Sequence, residues 1–180
     1  MINTIDISIL NYIASHLHTN LLDKIMPLIT YLGDKGFIWI LIAVILIISQ
    51  KYRKVGFVLL GALLLSTMLG EGILKHIIRR LRPCATIPAS KLLITKPLSF
   101  SFPSGHTTSS FAAASVLSKF IHKYKFAFFI LASAIAFSRV YLYVHYPSDI
   151  LGGIVLGLIC AKITIFYYNK LNDKSIVKSN

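Results

Sequence analysis

Apolar runs long enough to cross a lipid bilayer constrain this chain more than any other feature. A helix needs about 20 mostly apolar residues to traverse the hydrocarbon core, and residues 31–49, 55–74, 126–144 and 149–168 each approach or reach that length. Lipid offers no hydrogen-bond partners, so each run must satisfy its backbone internally, as a helix. The chain is therefore expected to be all-α, a polytopic membrane helix bundle. Residues 104–121, SGHTTSSFAAASVLSKFI, are also helix-like but rich in Ser, Thr and Ala. Small residues let helices approach closely, which suits a span buried inside the bundle, and Gly152, Gly153 and Gly157 read the same way. Near the N-terminus, Ile5, Ile9, Ile13 and Leu17 recur at helical spacing opposite Asn11, Ser15, His16 and His18. One domain over residues 1–180 is expected: 1–30 as an amphipathic or first spanning helix, 31–168 as the core bundle, and 169–180 as a cytoplasmic tail.

Charge orients the bundle. Nineteen Lys and Arg against six Asp and Glu give +13, a balance suited to nucleic acid, an anionic membrane surface or an acidic substrate. With 56% hydrophobic and 14% charged residues, the chain is too apolar for an ordinary soluble domain, and the runs between the charges exclude nucleic acid. Lys51, Arg53 and Lys54, then Lys119, Lys123 and Lys125, then Lys170, Lys174 and Lys178 fall on one side of the threaded helices. The positive-inside rule makes that side cytoplasmic. The outer face nevertheless receives Lys75, Arg79, Arg80, Arg82, Lys91 and Lys96, an exception for which an anionic substrate is a local cause. The N-terminus has no basic leader ahead of an apolar core and does not read as a cleaved signal peptide. Cys84 and Cys160 lie in unlike surroundings, and no disulfide is expected between them.

Three short motifs carry chemistry. In the first, Lys75 precedes Arg82-Pro83 by seven positions at the outer end of a span. Seven helical steps return almost to the same face, so a point charge and a planar fork can aim at one phosphate while Pro83 leaves the helix. The second is Pro103-Ser104-Gly105-His106. A helix start with Ser and Gly leaves backbone N–H groups and a hydroxyl for an anion. His106 then stands beside it, suited to general-acid work because a negative neighbour favours the protonated ring. The third joins Arg139, His145 and Asp149. An Arg near the end of an apolar span is a functional candidate. Asp149, four residues past His145, can bond one imidazole nitrogen and leave the other free to attack. Taken singly, each motif also fits a plainer role: a basic collar, a Ser-capped helix, a helix-start salt bridge. Threading brings all three to the same side of the membrane. Glu71, four residues before Lys75, reads as its ion-pair partner.

The three motifs, in order over residues 75–149, resemble those of the type 2 phosphatidic acid phosphatases, related in their site to vanadium haloperoxidases and bacterial nonspecific acid phosphatases. The resemblance implies about six transmembrane helices. It implies that Lys75, Arg82, Ser104, Gly105 and Arg139 hold the phosphate, that His145 forms a phosphohistidine, that His106 protonates the leaving group and that Asp149 supports His145. It also implies hydrolysis with no metal or other cofactor. The expected partners are membrane lipids and a lipid phosphate, met at the plasma membrane through an extracytoplasmic site, with the C-terminus cytoplasmic. Undecaprenyl diphosphate, converted to undecaprenyl phosphate for carrier recycling, is the first expectation. Phosphatidylglycerophosphate and phosphatidic acid are alternatives, with selectivity assigned to lipid-facing grooves and the 84–102 loop. A vanadate-dependent peroxidase and a non-catalytic polyprenyl-phosphate carrier or flippase are the readings from other classes. Neutral His145 working with protonated His106 would give a bell-shaped pH profile.

Overall fold

The computed structural model describes residues 2–86 and 92–177; Lys91 and Lys178, two of the charges used to orient the bundle, lie outside them. Regular structure among the described residues is entirely helical. Helices α1 (Ile2–His16) and α2 (Leu22–Gly33) lead through a 3-10 turn, Asp34–Gly36, into the hairpin of α3 (Phe37–Ile48) and α4 (Arg53–Thr67). A π-helical turn, Met68–Leu74, carries α4 into α5 (Lys75–Ile78), and α6 (Pro83–Thr86) is a single turn. Helices α7 (Gly105–Phe120), α8 (Lys125–Tyr141) and α9 (Pro147–Val177) complete the bundle. Four stretches are long and apolar enough to cross a membrane: Leu22–Ile48, Arg53–Ile78, His122–Tyr141 and Pro147–Asn172. Exposed Ile48, Phe57, Leu64, Phe126 and Ile130 give them apolar outer surfaces suited to lipid.

The first of these stretches is longer than the 31–49 run and is broken. Lys35 (φ 51°) and Gly36 (φ 74°) are both left-handed and separate α2 from α3. Glycine adopts that region freely, whereas Lys35 does so at a cost.

Helix α7 is the central element, packed against α4, α8 and α9. Residues Thr107–Ala114, Val116 and Leu117 are buried, and the indole N–H of Trp39 on α3 donates to Ser110 Oγ at 2.9 Å. Helix α9 approaches α7 through Gly157, where a Cβ would lie 2.5 Å from the Thr108 carbonyl oxygen and 2.9 Å from the Ala112 nitrogen. Small residues on both sides allow this, as their spacing leads one to expect.

Helix α1 packs one side against the protein. Asp6, Leu10 and Ile13 face the protein, while Ile5 and Ile9 are exposed. Asp6 is held on that side by its partners: Arg80 Nη2 at 2.6 Å and the Ser148 N–H at 2.9 Å. A buried carboxylate with such partners outweighs the burial of one more Ile.

Candidate active site

The site forms where α4–α5, α7, α8 and α9 meet. Lys75 and Arg82 both reach it, though not along one helical face. Helix α5 ends at Ile78, and left-handed Arg79 (φ 49°) donates its N–H to the Lys75 carbonyl. This αL cap turns the chain so that Arg82 comes back over the end of the bundle. Arg82 donates to the carbonyls of Ser99 (2.7 Å) and Val144 (2.8 Å) and to His145 Nε2 (2.9 Å). Lys75 Nζ pairs with Glu71 Oε1 at 2.6 Å, as the four-residue spacing leads one to expect.

On α7, Ser104 is the N-cap: its Oγ accepts from the Thr107 N–H at 3.5 Å and from Thr107 Oγ1 at 3.0 Å. The hydroxyl expected to face an anion is fully buried and turned toward its own helix, a capping role. Gly105 and His106 line the cavity described below. A Cβ on Gly105 would collide with the Glu71 carboxylate, so this glycine admits a charged neighbour at the helix start.

The turn between α8 and α9 explains the spacing of the third motif. Left-handed Tyr143 (φ 60°) donates its N–H to Val140 O, and Val144 donates to Arg139 O. This is a Schellman closure. The next residue, His145, donates its N–H to the same Arg139 carbonyl at 3.3 Å, which ties the two functional candidates together. Pro147 then opens α9. Asp149, third in that helix, reaches back to the Tyr146 N–H at 2.9 Å, one half of a capping box. The other contacts of its carboxylate are Arg80 Nη1 at 2.7 Å and Ser101 Oγ at 2.5 Å. His145 Nδ1 lies 3.5 Å from Asp149 Oδ2 and 3.4 Å from Ser101 Oγ, so Asp149 faces the ring at the outer limit of a hydrogen bond.

Lys75, Arg82, Gly105, His106, Arg139 and His145 line one cavity of about 950 Å³ whose lining also includes Ile40, Leu60, Leu63 and Leu64. Ser104 and Asp149 stand behind it. Three of the lining cations are buried: Lys75, Arg82 and Arg139, each 4% exposed. Arg139 donates Nη1 to Thr30 Oγ1 at 2.5 Å, its buried Nε has no partner, and no carboxylate among the described residues pairs with it. A buried guanidinium with an unused donor is a costly arrangement for a protein interior and a receptive one for an anion. Burial first, then the charges of Arg82, Arg139 and Lys75, hold His145 well below the ordinary imidazole range. Among the described residues, no cluster of three or more His, Cys, Asp or Glu side chains is arranged to hold a metal ion.

Four contributors escape sequence reasoning: Asp6, Thr30, Asp34 and Ser101. Arg80, which with Arg79 reads equally well in the sequence as a collar at a helix end or as part of the anion site, joins Asp149 to Asp6 and stacks 4.0 Å over the Tyr146 ring. Its place inside the seven-position first motif was the available signal.

The chain is 32% identical over 133 residues to an undecaprenyl-diphosphatase of Sulfolobus acidocaldarius, covering 72% of this chain and 64% of that protein. It is 36% identical over 167 residues to phosphatidylglycerophosphatase B of Bacillus subtilis, covering 86% of this chain and 77% of that one. The crystal structure of Aquifex aeolicus LpxE superposes with a TM-score of 0.77 at 31% identity, over 89% of this chain and 94% of the other. The PAP2 superfamily model matches residues 55–173, the stretch that holds all three motifs. With motifs, helical frame and relatives in agreement, this membrane protein belongs to the PAP2 superfamily.

Proposed function

We propose that the chain is a lipid phosphatase that works through a phosphohistidine on His145, with undecaprenyl diphosphate as its first-choice substrate. The observation that carries the reading is Arg139, buried without a carboxylate and with a free Nε, lining the same cavity as His145. An equatorial phosphate oxygen is assigned to the Arg139 guanidinium, and Lys75 and Arg82 neutralise the others as charge builds up. The apolar wall of Ile40, Leu60, Leu63 and Leu64 suits an isoprenoid or acyl chain. Arg82 can only donate, so His145 Nε2 is the lone-pair nitrogen and the ring proton sits on Nδ1. In-line attack by Nε2 forms the P–N bond as the P–O bond breaks, and His106 gives the departing oxygen its proton. Water then attacks phosphorus, His106 recovers a proton from it, and inorganic phosphate leaves His145. A carrier or flippase would need the cations but not this pair of imidazoles. The site is assigned to the extracytoplasmic face, opposite the lysine-rich end. Ser104, Gly105 and Asp149 serve as cradle frame and support.

Phosphatidylglycerophosphate is the second reading, favoured by the broader coverage and higher identity of the Bacillus relative. The test is phosphate release in detergent and EDTA by wild type and H145A, from undecaprenyl diphosphate, phosphatidylglycerophosphate and phosphatidic acid. Wild type is expected to be most active on the first, and H145A to be inactive on all three. Equal release by the two proteins would remove the mechanism, whereas activity confined to a glycerolipid would remove only the carrier-recycling assignment.

A further inference from the structure

The proton assigned to His106 must be held against three buried cations. Lys75, Arg82 and Arg139 line the same cavity, and a protonated ring there is repelled by each of them. One carboxylate offsets this: Asp34 Oδ1 lies 2.8 Å from His106 Nε2. The other nearby acids are committed elsewhere, Glu71 to Lys75 and Asp149 to Arg80, Ser101 and the Tyr146 N–H.

The contact is built by the backbone around it. Helix α2 ends on Gly33, where a Cβ would lie 2.7 Å from His106 Cδ2 and 2.7 Å from Ile135 Cγ2. Only a residue without a side chain lets α2 come this close to the imidazole. The chain then turns through left-handed Lys35 and Gly36, which holds Asp34 at the ring edge. Asp34 is 72 residues from His106 in sequence and belongs to none of the three motifs.

We infer that Asp34 is the positioning residue of the general acid, accepting the Nε2–H of His106 so that Nδ1 is the nitrogen that delivers and recovers the mobile proton. The inference rests on the phosphatase reading above. In the first step the P–O bond breaks and the departing oxygen takes the Nδ1 proton, leaving a neutral imidazole whose remaining proton stays on Nε2 against Asp34. In the second, water loses a proton to Nδ1 as its oxygen bonds phosphorus and the P–N bond to His145 breaks. Asp34 stays ionised throughout, so the proton count closes on the two histidines, water and substrate.

A poor leaving group needs the acid and a good one does not, which gives the test its discrimination. Purified wild type, D34N and D34E are assayed on dioctanoyl phosphatidic acid, which releases an alkoxide, and on p-nitrophenyl phosphate, which releases a stabilised phenolate. D34N is expected to lose about 30- to 100-fold in kcat on the alkyl substrate with KM little changed. The alkyl-to-aryl kcat ratio is expected to fall by about tenfold or more, with partial recovery in D34E. Equal loss on both substrates, or no loss, overturns the inference while leaving the phosphatase standing. A wild type inactive on every phosphate ester takes both down. A second measurement covers a D34N protein that does not fold: histidine-15N spectra of wild type at alkaline pH, assigned with H106N, are expected to show the Nε2-protonated tautomer at His106. The Nδ1-protonated tautomer there overturns the assignment.

Discussion

His145 is 1% exposed and surrounded by cations, so it is neutral in the folded protein and free to charge once unfolded. The sign of its contribution follows. Stability is fully present above the ordinary imidazole value of 6.5 and is lost progressively as pH falls from there toward the depressed folded value. Thermal unfolding in detergent is expected to show the midpoint of wild type dropping more between about pH 7.5 and about pH 5 than that of H145Q, which has no proton to bind. Parallel curves would mean that the ring takes up its proton as readily folded as unfolded. Arg80 answers to a different measurement. Removing it in R80A leaves Asp6 and Asp149, 2% and 0% exposed, without their shared cation. A loss of about 3 kcal/mol is expected, together with a roughly tenfold drop in kcat through a displaced Asp149. D6N keeps the Arg80–Asp149 pair and is expected to cost about 1 kcal/mol with activity largely kept. Denaturation midpoints and steady-state rates of the two variants decide; a D6N protein as damaged as R80A would place the key contact on α1 instead.

At the level of elements, the residues of the site divide by how far their partners lie along the chain. Lys75, Arg82, His106, Arg139 and His145 were legible because each sits in a short motif shaped by local backbone: an αL cap, a helix start and a Schellman closure. The apolar runs likewise revealed α3, α4, α8 and α9. Asp34, Asp6, Thr30 and Ser101 were not legible, because their contacts to His106, Arg80, Arg139 and Asp149 depend on how separate helices pack. The same limit covers Asp6 on α1, whose pairing with Arg80 no local pattern announces. Helix packing itself can be tested at Gly157. The neighbours of an added Cβ are the backbone atoms of Thr108 and Ala112, which cannot swing aside. G157A is therefore expected to destabilise by about 1–3 kcal/mol. At Gly72, where nothing lies within 4 Å of the same atom, G72A is expected to stay within about 0.5 kcal/mol of wild type. Thermal unfolding of both reads the difference, and equal midpoints would mean that α9 stands off from α7.

The whole molecule is polarised. Asp6, Asp23, Asp34, Glu71 and Asp149, five of the six acidic residues, lie at the end that holds the site, each with a basic side chain beside it. The turns at the other end carry Lys51, Arg53, Lys54, Lys119, Lys123 and Lys125, and that asymmetry supports the proposed outward orientation of the site. Cys84, partly exposed in α6 beside Arg82, is a native reporter of it, and Cys160 is buried. A membrane-impermeant maleimide is expected to label Cys84 in intact cells, and a cysteine introduced as K123C only after lysis. The reverse pattern inverts the topology. Helix α7 adds a dimension to this picture. Its 16 residues rise about 24 Å, less than the roughly 30 Å of hydrocarbon in an ordinary bilayer. Were its lysine-rich end held at one water boundary, His106 at the other end would sit several ångströms beneath the opposite one. Lipid would then thin around the protein, or the head group would sink to meet it, and both become harder as acyl chains lengthen. Turnover in vesicles is accordingly expected to fall from 14-carbon to 22-carbon phosphatidylcholine, which makes the thickness of the host membrane a setting of the catalyst.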